Sequence, residues 1–163
     1  MGQNLTRTER DTMGEMQVPQ EAYYGASTQR AVLNFPISSL RYPTDFIHIL
    51  GRVKKAAAEA NEQLGLLDPK ICAAIVAASN EVIQGNFDSH FPVDLFQTGS
   101  GTSTNTNANE VIGRRATELL SSNDSMRIHP NDHVNMGQSS NDVIPTVTHL
   151  TAAMALQYEL IPA

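Results

Sequence analysis

An uncharged run of small polar residues, LFQTGSGTSTNTNAN, extends from Leu95 to Asn109. Its hydroxyl and amide side chains donate hydrogen bonds without adding charge, and its glycines let a ligand approach the backbone closely. The run precedes a predicted helix, whose first N–H groups lack intrahelical partners and carry a partial positive charge. These properties favour a site for a small anion such as a carboxylate or a phosphate.

A second polar segment, RIHPNDHVNMGQSSND from Arg127 to Asp142, also precedes a predicted helix. The candidate ligand-binding residues are Ser100, Thr102, Asn105 and Asn107 in the first segment, and Ser139, Ser140 and Asn141 in the second. Serine, threonine and asparagine also cap helices without binding anything, and for either segment alone that interpretation stays open. Two such segments in one small domain favour a binding site.

The sequence His129-Pro130-Asn131-Asp132 predicts a rigid turn, because proline fixes its own backbone angle. An imidazole held there can bind an anion or relay a proton, and an Asx-type turn with an exposed histidine is an equal alternative. His129 and His133 have the spacing of a metal pair, but Pro130 interrupts the helix that such a pair needs. Metal ligation is therefore disfavoured, and no glycine-rich nucleotide loop is present.

The elements that must position these residues are predicted to be helices, so the chain is expected to be mainly α. The first long helix is predicted to begin at a Thr44 cap and end at Gly65, with the apolar face Phe46, Ile49, Leu50, Val53, Ala57, Ala60 and Leu64. The others are predicted from Asp68-Pro69 to Gly85, from Ala108 to Leu120, and from Ser140–Asp142 onward with Pro145 in the first turn. Residues 1–43 are expected to be irregular, without strands, apart from a short helix around Ser27–Asn34.

The last of these helices is amphipathic, with Val143, Val147, Leu150, Met154 and Ile161 on one face. That face needs either a partner subunit or more chain to cover it. Length predicts about one domain, and a net charge of -6 argues against nucleic acid as a partner. Two basic pairs, Lys54-Lys55 and Arg114-Arg115, are predicted to be solvated helix faces.

The chain is expected to be cytoplasmic and not to span a membrane. No apolar run has the length of a membrane span, and no leader is recognised at the N-terminus. The lone Cys72 allows no intrachain disulfide and is predicted to be buried and inert.

Several of these segments together resemble class II fumarases of the fumarase/aspartase superfamily. They are TGSGTSTNTNANEV (Thr98–Val111), HPNDHVN (His129–Asn135), QSSNDVIPT (Gln138–Thr146), and the N-terminal RTERDTMGEMQVP and YYGASTQRAVLNFPIS. Aspartases typically have GGAGTS, NPND and STND at the corresponding places. The chain's own TGSGTS, HPND and SSND favour fumarase, whereas AYYG near Tyr23 and NDHVN at Asn131 lean slightly toward aspartase.

The resemblance implies reversible addition of water to fumarate, giving L-malate, without a metal or an organic cofactor. It assigns substrate carboxylate binding to Ser100, Gly101, Thr102, Ser139, Ser140 and Asn141, and a second dicarboxylate site to His129, Pro130, Asn131 and Asp132. Family members often have an arginine where this chain has Met126, with Arg127 one position along. That difference leaves an arginine contact at the second site open.

The resemblance also implies what lies outside these 163 residues. The catalytic histidine and serine segments of the family lie further along the chain, and each active site combines segments from three chains of a homotetramer. We therefore expect residues 1–138 to form an N-terminal helical domain, 139–163 to begin the central helix bundle, and this chain alone not to hydrate fumarate. The alternatives are an aspartase and a non-catalytic dicarboxylate-binding module.

Overall fold

The computed structural model describes residues 5–120 and 126–163. It opens with an antiparallel hairpin of β1 (Thr6–Asp11) and β2 (Gly14–Pro19), in which Thr6 pairs with Pro19 and Asp11 with Gly14. The expectation of an irregular N-terminus without strands is therefore wrong. Val18 is the one fully buried residue of the two strands, so the apolar alternation typical of a half-buried strand is weak here.

Helices make up most of the remaining structure, and the prediction of a mainly α chain is confirmed. They are α1 (Ala26–Asn34), α2 (Thr44–Gln63), α3 (Pro69–Ile83), α4 (Thr102–Leu120) and α5 (Ser140–Ala155). Short helical turns cover Asp88–His90, Pro130–Val134 and Leu156–Leu160. No described helix is both long enough and apolar enough to cross a bilayer.

The helix boundaries follow local chemistry, with three differences from prediction. Asp68 caps α3 as predicted, since its side chain accepts hydrogen bonds from the backbone N–H groups of Lys70 and Ile71. Thr44, however, is the first residue of α2, and Pro43 precedes it without a side-chain cap. Pro145 lies beyond the first turn of α5, where its missing N–H leaves the Asn141 carbonyl without the usual partner.

The third difference is that α4 begins at Thr102, well before the predicted Ala108. The first turns of this helix are therefore made of small polar residues that were predicted to precede it. Helix propensity is poor in such a stretch, so tertiary packing must decide its conformation.

The core lies between α2, α3, α4 and α5. Helix α2 packs on α3 and α5, and α4 packs on α1, α3 and α5. Leu50, Ile75, Val111, Ile112 and Val147 are completely buried at these contacts. This packing fixes the start of α4 against the start of α5.

The predicted apolar face of α2 is only partly correct. Phe46, Ile49 and Leu50 are buried, but Leu64 is 71% exposed. Ala60 is also exposed. The buried stripe passes instead through Leu50, Lys54 and Ala58, at four-residue spacing. A lysine thus occupies a core position.

Candidate functional site

Three hydroxyl groups meet where α4 and α5 begin. The Oγ atom of Ser100 lies 2.9 Å from Oγ1 of Thr102, which lies 3.0 Å from Oγ of Ser140. Thr102 and Ser140 are the first residues of their helices. The structure thus brings together the two polar segments that the sequence indicated, in a group that we call the hydroxyl cluster (Ser100, Thr102 and Ser140).

Backbone donors surround this cluster, because the first N–H groups of each helix lack intrahelical partners. In α4, the N–H of Thr104 donates to Gln97 Oε1 and that of Asn105 to the Gly101 carbonyl. The N–H groups of Thr102, Ser103 and Ser140 have no acceptor among the described residues. Two helix N-termini with spare donors therefore point to an anion as the ligand.

Gly101 lets the first segment approach α5. Its φ angle is +66°, and a Cβ atom built there would lie 3.0 Å from both Cγ1 and Cγ2 of Ile144. A larger residue would be strained by its backbone angle and would also press against α5. Glycine is therefore required for the contact between Thr102 and Ser140.

Ser139 and Asn141 flank the cluster without joining it. The Ser139 hydroxyl accepts a hydrogen bond from the Asn141 N–H at 3.2 Å and so caps α5. Both residues are exposed. A carboxylate bound at the cluster would therefore lie next to the side chains of Ser139 and Asn141, which belong to the same end of α5 as Ser140.

Asn105 and Asn107 do not belong to the exposed site, and their assignment to an anion cradle is wrong. Both lie inside α4 and are buried, because that helix starts at Thr102. Asn107 Nδ2 donates to the His90 carbonyl at 2.9 Å, and Asn105 Nδ2 donates to Asn135 Oδ1 at 3.1 Å. The first part of the uncharged run, up to Thr102, is thus mostly exposed, whereas Thr104, Asn105 and Asn107–Asn109 are built into the core.

Lys54 is buried, so the prediction of a solvated Lys54-Lys55 pair is wrong for this residue. Its side chain is fully buried, and its Nζ atom donates to Asn135 Oδ1 at 3.0 Å and to Gln138 Oε1 at 2.9 Å. Burial lowers the pKa of Lys54 to about 7. The four-residue spacing from Leu50 through Lys54 to Ala58 was the signal that could have placed it inward.

Arg114 and Arg115 are not simply solvated either. Arg115 forms a bidentate ion pair with Glu81: its Nε lies 2.7 Å from Oε2 and its Nη2 lies 3.0 Å from Oε1 of the carboxylate. Arg114 donates to the Ala22 carbonyl and lies 5.0 Å from the centre of the Tyr23 ring. Both arginines therefore hold α4 to neighbouring parts of the chain.

His129, Pro130, Asn131 and Asp132 form a separate, exposed turn. The Nδ1 atom of His129 accepts from the Asp132 N–H at 3.2 Å, and the His129 N–H donates to Nδ1 of His133 at 2.9 Å. Each bond needs a lone pair on the imidazole nitrogen. The imidazoles thus order the turn, whatever else they bind.

A cleft of about 580 Å³ lies beside this turn and is bounded by the hairpin, the start of α1 and one face of α4. Its lining includes Arg10, Arg127, His129 and Asn131, and none of the hydroxyl cluster. Arg127 thus lies on the same cleft as the His129 turn. Among the described residues no group of three or more histidine, cysteine, aspartate or glutamate side chains is arranged to hold a metal ion.

Residues 14–163 match a family model described as lyase. The chain belongs to this lyase family. Relatives in it include class II fumarate hydratases from Halobacterium salinarum, 60% identical over 157 residues, and from Thermus thermophilus, 53% identical over 160 residues. These alignments cover 96% of this chain and 33% and 34% of the two relatives. The chain therefore spans about a third of the length of the curated relatives it matches.

Solved structures show the same lyase fold. A crystal structure of class II fumarase from Schistosoma mansoni superposes with a TM-score of 0.93 at 43% identity, covering 97% of this chain and 34% of that one. A fumarate lyase:delta crystallin structure from Brucella melitensis gives 0.86 at 47% identity, covering 93% and 36%. The predicted resemblance to class II fumarases is confirmed.

Proposed function

We propose that this chain supplies the carboxylate-binding part of a class II fumarate hydratase, which adds water reversibly to fumarate to give L-malate. The observation that carries the proposal is the meeting of the α4 and α5 N-termini at the hydroxyl cluster. The relatives of this chain named as class II fumarate hydratases support fumarate as the substrate, and they favour a fumarase over an aspartase.

The cluster offers the donors that such a reaction needs. When L-malate is dehydrated to fumarate, removal of the C–H proton next to a carboxylate moves negative charge onto that carboxylate, which then carries a second charge. Neutral hydroxyl and backbone N–H donors fixed in place can stabilise that charge without reorganising. We assign one carboxylate of the substrate to Ser100, Gly101, Thr102 and Ser140, with Ser139 and Asn141 at its edge.

The proposal includes three further parts. The proton-transferring histidine and serine come from outside these residues, in a homotetramer whose central bundle begins at residue 139. His129, Pro130, Asn131 and Asp132 form a second dicarboxylate site, with Arg127 on the same cleft. The enzyme works in the cytoplasm, without a nucleic-acid or membrane partner, and its proposed mechanism uses no metal or organic cofactor.

A matched pair of substitutions tests the assignment of the cluster. In the whole enzyme, Ser140→Ala removes a cluster hydroxyl, whereas Ser103→Ala removes a nearby hydroxyl of α4 outside the cluster. We expect Ser140→Ala to lower kcat/KM by about 10²–10³-fold, followed as loss of fumarate absorbance, and Ser103→Ala to lower it little. Equal small effects would contradict the assignment.

The choice of nucleophile and the role of the chain are tested separately. The whole enzyme should add water to fumarate and not ammonia, and addition of ammonia would instead show an aspartase. The 163-residue chain by itself should not form malate. If it bound fumarate saturably as a defined oligomer, and the whole protein had no activity, a non-catalytic dicarboxylate-binding module would replace the proposal.

A further inference from the structure

Lys54 connects α2 to the segment that leads into α5. Its ammonium group donates to the side-chain oxygens of Asn135 and Gln138. Among the described residues no carboxylate forms an ion pair with it. A buried amine without a carboxylate lowers stability relative to an apolar side chain of similar length. Stability therefore does not explain this residue.

The partners of Lys54 form a continuous amide network with α4. Asn135 Oδ1 also accepts from Asn105 Nδ2 at 3.1 Å, and Asn135 Nδ2 donates to the Gln138 carbonyl at 3.2 Å. Gln138 Nε2 donates in turn to the Val134 carbonyl at 2.9 Å. We call Lys54, Asn105, Asn135 and Gln138 the amide network.

The amide network reaches both segments that carry the hydroxyl cluster. Gln138 directly precedes Ser139, the cap of α5, and Asn105 lies in the same first turn of α4 as Thr102. The 3.0 Å contact between the hydroxyls of Thr102 and Ser140 depends on how these two helix starts are placed. Lys54, from a third helix, holds the linker between them.

We propose that Lys54 is a positioning residue for dicarboxylate binding, which sets Ser140 against Thr102 through Asn135 and Gln138. The inference rests on the proposed function. It does not require one charge state, because a neutral amine still has two N–H donors for the two amide oxygens. Without the Lys54 donors, the first residues of α5 would be less firmly held, and the hydroxyls of Ser140 and Thr102 would no longer be fixed next to each other.

Two lysine substitutions in the whole enzyme provide the test. Lys54→Met keeps the length of the side chain and removes its donors. Lys55→Met removes the adjacent lysine, which donates to Asn80 Oδ1 at 3.2 Å and lies outside the network. We expect Lys54→Met to raise the KM for fumarate about ten-fold or more and also to lower kcat, because misplaced donors weaken both binding of the substrate carboxylate and stabilisation of its second charge. Lys55→Met should leave both constants within about two-fold.

Thermal unfolding checks that each variant is folded. A folded Lys54→Met enzyme with unchanged KM would overturn the inference, and so would a fall in stability and kcat without a rise in KM. If that variant does not fold, Gln138→Leu takes its place, with a KM rise in support and an unchanged KM against. A wild-type enzyme inactive on fumarate would overturn the proposed function and this inference together. If the wild type is active, an unchanged KM in the Lys54→Met variant overturns this inference alone.

Discussion

Single residues at the candidate site are held by tertiary contacts more than by local sequence preference. Gly101 is needed for its positive φ and for its contact with Ile144, and Lys54 fills a core position without a carboxylate partner. Each of them places another residue: Gly101 lets Thr102 approach α5, and Lys54 holds the residues before Ser139. We therefore expect a substitution of Gly101 to change mainly the stability of the protein, and a substitution of Lys54 to change mainly the binding of substrate.

Gly101→Ala should lower the free energy of unfolding by roughly 1–3 kcal/mol, because a Cβ atom there is strained by its backbone angle and crowds Ile144. Gly99→Ala is the matched control, since nothing lies within 4 Å of a Cβ built at Gly99. Urea unfolding of the two variants measures the difference. Equal effects would show that the Gly101 contact is not restrictive.

Lys54 should also make stability depend on pH. Its pKa is lowered from 10.5 to about 7 in the folded protein, so between these values the unfolded chain binds the extra proton. Stability then rises with pH across this window, by up to about 1.4 kcal/mol per unit, and the gain is absent below about pH 7. We expect the unfolding free energy of wild type minus that of Lys54→Met to increase from pH 7 to pH 9 in urea titrations. A flat difference would contradict a buried amine of lowered pKa.

At the scale of elements, α4 organises the fold by contacts along its whole length. Its start meets α5, its arginines hold neighbouring segments, and Glu110 caps α1 from outside that helix. The Glu110 carboxylate accepts from the N–H groups of Gly25, Ser27 and Thr28 and from the Thr28 hydroxyl. Helix α1 has no side-chain cap of its own, so a long-range contact replaces a local one.

Glu110→Ala should therefore destabilise the protein by about 2–4 kcal/mol, because partly buried backbone donors and the buried Thr28 hydroxyl lose their acceptor. Amide hydrogen exchange should speed up at the start of α1 before other regions. Glu118→Ala is the comparison on the same helix. Glu118 forms surface ion pairs with Arg114 and Arg115, each worth at most about 1 kcal/mol, and it accepts a hydrogen bond from the Tyr23 hydroxyl at 3.0 Å. Uniform acceleration of exchange across the chain would argue against a local anchor.

For the molecule as a whole, α5 and the turn after it carry an uncovered apolar strip. The strip consists of side chains that are 40–78% exposed: Leu150, Met154, Leu156, Tyr158, Leu160 and Ile161. Of the apolar face predicted for this helix, Val143 and Val147 are buried within the chain itself, whereas Leu150, Met154 and Ile161 are exposed. A partner that covers the exposed part stays a prediction. A strip of this kind favours association in water.

The 163-residue chain should therefore self-associate in a concentration-dependent manner, as measured by sedimentation velocity. Leu150→Glu together with Met154→Glu should reduce the association, because both side chains lie within the strip. Val147, which is fully buried, is left unchanged so that the core is intact. A monomer at all concentrations would contradict this prediction.

The sequence by itself determined the helical class, most helix boundaries and the two segments that meet at the site. Apolar spacing, the Asp68 cap and the glycines after α2 and α3 are local signals, and they are sufficient to predict where these two helices begin and end. The hairpin has no comparable local signal, because its strands bury little. Its alternation therefore gave only a weak pattern.

Only the tertiary structure decided which polar residues face a ligand and which face the core. Asn105, Asn107 and Lys54 are of types usually found at surfaces, yet distant residues such as Asn135 and His90 supply their hydrogen-bond partners. Periodicity cannot reveal such partners, because a buried polar group is acceptable only once its acceptor is in place. For the same physical reason, the sequence could indicate Thr102 and Ser140 separately, and only folding shows their hydroxyls 3.0 Å apart.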